Sequence, residues 1–494
     1  MRKLVYIFLF LPCWLLSQSL EIDSLDNYIT KLIDEYKMPG IAIGVIHNDT
    51  VLFKKGYGTT KIENGLPVSS QTVFPILSCT KAFTATCLGI LVDEGKLKWD
   101  DKVVKYLPSF KLSDPWITKE ITIGDLLSHR SGLRAFDGDL LWYSTNYSRN
   151  EVIEKIQYYP IIGNFRLDFN YQNVMYLVAG KIVEEVSDLT WDDFVKTRIF
   201  KPLGMSASST SLSELQAASN YAHPHIADKP IIPRSTDNAG PAGSINSTID
   251  DMLQWLQMNL NEGKWNGHQI LKKQTFQTIT SPKMLLDNKS LSSYGFGWNI
   301  DYENGQKVLY HGGGMPGYKS IMALFPEHKI GIVVLTNKIT MINEGLMNMI
   351  SSYIIDPEKV DWSENRKYFT YFHYSWDTPT TLRTKPNLPD SFNKYIGLYK
   401  DDVYGLAKIK KVNETGVLEL LPSKKMLSGQ LYFENKSTFK VQFKDEFLPI
   451  GKVVFQLDEH QNIKAFRLDI PNDDFNFDNL KFVKLKNNAT KKNP

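Results

Sequence analysis

Val73-Phe74-Pro75-Ile76-Leu77-Ser78-Cys79-Thr80-Lys81-Ala82-Phe83 is the stretch on which the reading of the fold turns. Up to Leu77 the pattern is strand-like. From Cys79 onward, Phe83, Cys87, Leu88 and Leu91 recur at helical spacing, and Gly95 supplies a stop. Ser78 therefore stands at a strand-to-helix junction, where free backbone N–H groups and the positive end of the helix dipole favour developing negative charge. Lys81 follows one turn later on the same face, within reach of the Ser78 hydroxyl. The spacing alone is weak, because Ser391/Lys394 and Ser437/Lys440 repeat it with no helix after them. Taken by itself, an N-cap serine beside a solvated lysine is the simpler reading.

Working outward, Gly40 to Phe53 is two apolar strand patterns joined by His47-Asn48-Asp49, a hairpin signal. Helical patterns occupy Leu126-Leu127, Val174 to Val186 and Met252 to Leu260. Strand patterns return at Gly295 to Ile300, Lys307 to Tyr310 and Ile321 to Leu335. Strands at both ends with helices between predict one α+β unit whose first and last strands share an antiparallel sheet. Beyond Ile355 the character changes. Residues 356–389 read as a linker that packs on something, given Trp362, Tyr368, Tyr371, Phe372 and Trp376. Residues 390–488 alternate at Leu418/Leu420, Phe439/Val441/Phe443, Val453/Phe455/Leu457 and Phe466/Leu468/Ile470, which predicts a small all-β barrel or sandwich.

The chain has 494 residues, 42% apolar and 22% charged, ordinary for a globular protein of two folded units. Residues 1–19 read as a signal peptide: Arg2 and Lys3 precede an apolar run, Leu4 to Leu16, too short to span a bilayer comfortably. The alternative is a retained anchor. The expectation is export to a periplasm or medium, with no stable membrane span once the segment is gone. The formal charge is +3, and removing Arg2 and Lys3 leaves the chain essentially neutral. No basic run is interleaved with aromatics, so nucleic acid is not an expected partner. Cys79 and Cys87, eight apart on one helix, would stand about 12 Å apart, too far for a disulfide.

A serine hydroxyl needs a neighbour to take its proton, and a lysine can do so only if burial or another cation lowers its pKa. Tyr171-Gln172-Asn173, on a turn before the Val174 helix, offers a phenol that can shuttle a proton and an amide that can hold both a carbonyl and the lysine. His311-Gly312-Gly313-Gly314 follows a strand pattern; its glycines let a substrate backbone lie close and free N–H groups to face an oxyanion. Each pattern alone has a bland counterpart in core packing, capping or a loose turn.

Together and in this order, Ser-x-x-Lys, Tyr-x-Asn and His-x-Gly resemble the serine β-lactamase and penicillin-binding-protein family, nearest the class C enzymes and their esterase and D-aminopeptidase relatives. Further stretches agree: PGIAIGVI (39–46), LLSHRSGL (126–133), IFKPLGM (199–205), AGPAGSINST (239–248), YGFGW (294–298) and HGGGMPGY (311–318). The likeness covers residues 20–355. It implies Ser78 as nucleophile, Lys81 as its proton partner, Tyr171 as acid/base, Asn173 as a substrate ligand, and the N–H groups of Ser78 and Gly314 as an oxyanion hole beside His311 and Gly313. The C-terminal region resembles, more loosely, the lipocalin-like domain carried by some of these hydrolases.

One position departs from the family. Class C β-lactamases have a lysine where this chain has His311, a residue mostly neutral above pH 7 that supplies a hydrogen bond and little charge. His311 is expected to bind the substrate's polar end or to tune Tyr171. The resulting expectation is an exported serine hydrolase acting on small-molecule or peptide esters and amides, D-amino-acid peptides included. A D,D-peptidase or weak β-lactamase, and a catalytically silent peptidoglycan- or peptide-binding module, are the alternatives. No cofactor or metal is expected: at His223, His225 and Asp228, Pro224 breaks any ligand spacing. His129 is read as structural, bonding the helix end near Ser131-Gly132.

Overall fold

A computed structural model describes residues 22–287, 289, 291–303, 305–357, 382, 387–472 and 474–486. The expected signal segment and most of the expected linker, with all five of its named aromatics, lie outside these residues.

The chain opens with α1 (Ile22–Glu35), β1 (Gly40–His47) and β2 (Thr50–Gly58). Asn48 and Asp49, at φ 50° and 62°, make the tight turn between the two strands. Among the helices that follow are α2 (Thr80–Asp93), α3 (Ile123–Leu127), α4 (Asp139–Trp142), α5 (Asn173–Ser187) and α6 (Ile249–Leu260). The chain then returns to strands: β3 (Met284–Leu285), β4 (Ser293–Tyr294), β5 (Asn299–Glu303), β6 (Gln306–Met315), β7 (Tyr318–Phe325) and β8 (Ile330–Thr336), closed by α7 (Ile342–Ile355).

These eight strands form one sheet in the order β2-β1-β8-β7-β6-β5-β4-β3, so the first hairpin and the last strand do pair, Ile41 opposite Thr336 and Val45 opposite Ile332. Two expected strands are corrected. Gly295 to Ile300 is mostly a turn, because Gly297 takes φ +76° and lies so close to α2 that a Cβ there would sit 2.7 Å from the Lys81 carbonyl. Ile321 to Leu335 is two strands, folded back at Lys329 with φ +50°.

The sheet is the middle layer. Ile41, Ile43, Val45, Ile332 and Val334 point to one face and bury α1 and α7, while Ala42, Ile46, Val333 and Leu335 point to the other, where α2 and α6 lie. Gly44 admits α6, since a Cβ would meet Ile249 Cγ2 at 2.6 Å. Every residue of α2 from Thr80 to Leu91 is buried, as befits a helix surrounded by protein on all sides. Its location takes Lys81 out of water.

The C-terminal region is a closed antiparallel barrel of eight strands, β9 (Gly397–Asp401), β10 (Gly405–Val412), β11 (Thr415–Leu420), β12 (Ser428–Asn435), β13 (Thr438–Phe443), β14 (Gly451–Leu457), β15 (Ile463–Asp469) and β16 (Lys481–Lys484), with β9 closing on β16. Phe439, Phe455, Phe466 and Phe482 are buried and contact one another or Tyr395 and Tyr399 at ring distances of 4.8 to 5.7 Å. The barrel docks on the segment that follows α3. Arg134 grips Asp478 with two 2.9 Å bonds, and the Tyr143 ring packs 4.3 Å from Phe475. Asp445, fully buried, accepts from the Tyr143 hydroxyl at 2.7 Å and from Arg234 at 2.8 Å.

Candidate active site

Ser78 lies in a single 3-10 turn, Leu77–Cys79, just before α2, with Leu77 at φ +52°. That backbone is strained for a bulky side chain and persists because its surroundings fix it. Cys79 Sγ donates to the His311 carbonyl at 3.1 Å, and Ser320 Oγ on β7 donates to the Ile76 carbonyl at 2.7 Å. Gly313 leaves no room for a side chain: a Cβ would lie 2.7 Å from Leu77 Cβ and 2.8 Å from Ser78 N. Pairing of β6 with β5 ends at Asn299 opposite Tyr310, so residues 311–315 bare one strand edge close to Ser78.

Lys81 is fully buried, and its Nζ has three neighbours: Asn173 Oδ1 at 2.7 Å, the Ala242 carbonyl at 3.0 Å and Ser78 Oγ at 3.1 Å. The two carbonyl oxygens can only accept, so they take two N–H groups. The third position faces Ser78. There a neutral amine has its lone pair, ready for the hydroxyl proton. Burial brings the Lys81 pKa down to about 7, opposed by the Asp139 charge, so the neutral amine is well populated near neutral pH.

Tyr171 is half-buried beside them, its ring centroid 4.8 Å from Lys81 Nζ. Burial raises its pKa well above 10, with a hydrogen bond from Ser78 pulling the other way. The phenol is therefore protonated at neutral pH and is suited to donating a proton. Asn173 starts α5. Its Nδ2 donates to Asp139 Oδ2 at 2.7 Å, leaving one N–H free.

The residues that define a known family fall within a region that matches one. The family model described as Beta-lactamase matches residues 25–344. The chain belongs to the β-lactamase family. Among similar proteins, the unguisins hydrolase ungD' of Aspergillus campestris is 26% identical over 69% of this chain and 66% of its own length, just under two thirds. The protein flp of Staphylococcus aureus (strain NCTC 8325 / PS 47) is 25% identical over 68% of this chain and 67% of itself, and a penicillin-binding protein of Bacillus subtilis (strain 168) is 24% identical over 64% and 71%. The octameric penicillin-binding protein homologue from Pyrococcus abyssi superposes with TM-score 0.62 at 22% identity, covering 94% of this chain and all of that one. Hydrolase and penicillin-binding relatives together mark this β-lactamase-family chain as a serine hydrolase.

Two histidines of the β-lactamase-family chain differ from expectation. His311 is 2% exposed, its Nδ1 2.7 Å from the Gly312 carbonyl and its Nε2 2.8 Å from the Tyr294 hydroxyl. The carbonyl accepts, so Nδ1 carries the proton and Tyr294 donates to Nε2. Neither nitrogen is left for a substrate. Burial and the Lys81 charge push its pKa down to about 3, so it brings no cation. His129 does not bond the Ser131-Gly132 turn; its Nδ1 accepts from Gln172 N at 2.9 Å and its ring lies 4.4 Å from that of Tyr171. It holds the tyrosine's loop from behind. Asp139 escaped sequence reasoning altogether. Asp137-Gly138-Asp139 looks like an ordinary turn, and only burial and the Asn173 contact distinguish it. No group of three or more metal-ligating side chains occurs among the described residues.

Proposed function

We propose that this protein is an exported serine hydrolase that cleaves an ester or amide, D-amino-acid peptides among the candidates, through an acyl-enzyme on Ser78. Neutral Lys81 takes the Ser78 proton as Oγ attacks the carbonyl carbon. The free N–H of Asn173 and the bare edge of β6 hold the acyl group, and the Ser78 and Gly314 N–H groups receive the oxyanion. The proton passes by way of the Tyr171 phenol to the leaving group. Water then attacks the ester by the same path in reverse. The observation that carries this reading is the Lys81 amine, whose two carbonyl partners leave its remaining valence on Ser78.

The substrate class rests on His311. A neutral imidazole with both nitrogens engaged attracts no substrate carboxylate, which favours uncharged acyl groups over β-lactams. Export rests on the apolar N-terminal segment. A second reading, a penicillin-recognising peptidase, draws on the relative named a penicillin-binding protein. The likeness of the barrel to lipocalins is part of the proposal only as eight closed antiparallel strands. Its aromatic-filled interior suits a docking role.

A fluorophosphonate probe is expected to label the wild type and not Ser78→Ala. No labelling of either protein would favour a binding module. A panel of p-nitrophenyl esters, aminoacyl amides and nitrocefin then sorts the substrates. Retention of a labelled penicillin without turnover would favour the second reading.

A further inference from the structure

Resting on the roles given above to Ser78 and Lys81, we propose that Asp139 is a positioning residue which, through the Asn173 amide, aims the Lys81 amine at Ser78 and supplies its buried counter-charge. A side-chain amide can sit either way round, and only its partners decide which. Here Asp139 Oδ2 accepts from Asn173 Nδ2 at 2.7 Å while Asn173 Oδ1 accepts from Lys81 at 2.7 Å. Both Asp139 oxygens accept, Oδ2 from Asn173 Nδ2 and Oδ1 from Trp142 Nε1, and this forces the amide carbonyl onto the lysine. With that carbonyl and Ala242 occupying two N–H groups, the third position of the amine is left to Ser78.

Asp139 is built to stay in place. It is 2% exposed, and Trp142 Nε1 donates to its other oxygen at 2.9 Å. Gly138 before it takes φ +92° and presses on α5 so closely that a Cβ would meet Val174 Cγ1 at 2.7 Å. Tyr143, whose N–H bonds the Asp139 carbonyl at 3.0 Å, donates its hydroxyl to Asp445 of the barrel. The barrel thus fixes the short helix that carries the carboxylate, two hydrogen bonds from the lysine.

Among the described residues, the other ionisable groups near the pair are mostly neutral. Cys79 at the nucleophile turn, Tyr171 and Tyr176 on or beside α5, and His129 and His311 behind them are all held neutral by burial. Tyr159 lies near Asp139 and is likewise neutral, and Asp474 of the barrel is the nearby like charge. Asp139 is thus the carboxylate that acts on Lys81, favouring its protonated form, while burial pushes Asp139 itself up to about 7.

The test uses the full chain and an activated ester. In Asp139→Asn, either Trp142 or Asn173 must donate toward an NH2 group, and the counter-charge is gone. The acylation rate should fall at least roughly tenfold with little change in KM, as for a lost transition-state alignment. The acid limb of kcat/KM should move to lower pH, because the charge that raised the Lys81 pKa is missing. Asp139→Ser, smaller and uncharged, should give the same shift. A purely structural role would lower stability and leave the limb in place. An unmoved limb in either folded variant overturns the proposal, as does loss of cooperative melting in both. Failure of the underlying reading is separate, because then the wild type itself would not be labelled at Ser78.

Discussion

Lys81 is a basic side chain with no solvent exposure and, among the described residues, no carboxylate in direct contact, and that combination determines its chemistry. Activity should rise with pH through about 7, as the buried ammonium loses its proton, and should be low below pH 6. Lys81→Ala should reduce acylation by on the order of 10³-fold or more, since general-base catalysis and alignment are lost together. Rapid-quench kinetics on an activated ester measure both. His311 gives a stability prediction of definite sign. Its pKa falls from 6.5 in the unfolded chain to about 3 in the folded one. Between those values the unfolded state binds the extra proton, so stability is intact above pH 6.5 and declines as pH falls toward 3. The slope is at most roughly 1.4 kcal/mol per pH unit. Thermal melts at pH 4 to 7 should show the decline, and His311→Asn should lessen it, the buried His129 keeping its own share.

At the scale of elements, the strand β6, the Ser78 turn and the start of α2 lock together through close approaches only glycine permits. Gly313→Ala would drive a methyl group to 2.7 Å from Leu77 Cβ. It should cost about 1–3 kcal/mol of stability and lower kcat more than it raises KM, read by melting and steady-state kinetics. Much of this organisation was legible in sequence. The change of period at Ser78, the apolar runs of β1 and β8, and the alternation after Tyr395 report burial directly, and burial sets the sheet and the barrel. Ser78, Lys81, Tyr171 and Asn173 could be singled out because their spacings recur within one family. The turn at Gly295 to Trp298 was not legible, because its aromatic and glycine residues mimic a strand while the deciding contact is with Lys81, far away in the chain. Asp139 was missed, and His129 was given the wrong partner, for the same reason: each acts through a residue more than thirty positions distant, Asn173 and Gln172.

At the scale of the whole molecule, the hydrolase unit and the barrel share one continuous apolar core, joined by the buried Asp445–Arg234–Tyr143 contact. The protein should therefore unfold in a single calorimetric transition. Asp445→Ala, which leaves Arg234 buried without its partner, should cost about 3–5 kcal/mol and separate the transition into two. Two transitions already present in the wild type would show that the units are energetically independent. The account as a whole stands on a covalent intermediate at one hydroxyl, so the most direct measurement is the mass of the intact protein during turnover of p-nitrophenyl acetate, followed by peptide mapping. The predicted result is one acetyl group on Ser78, formed faster at pH 8 than at pH 6 and absent from Ser78→Ala. Acetylation at another residue, or turnover that persists in Ser78→Ala, would contradict it.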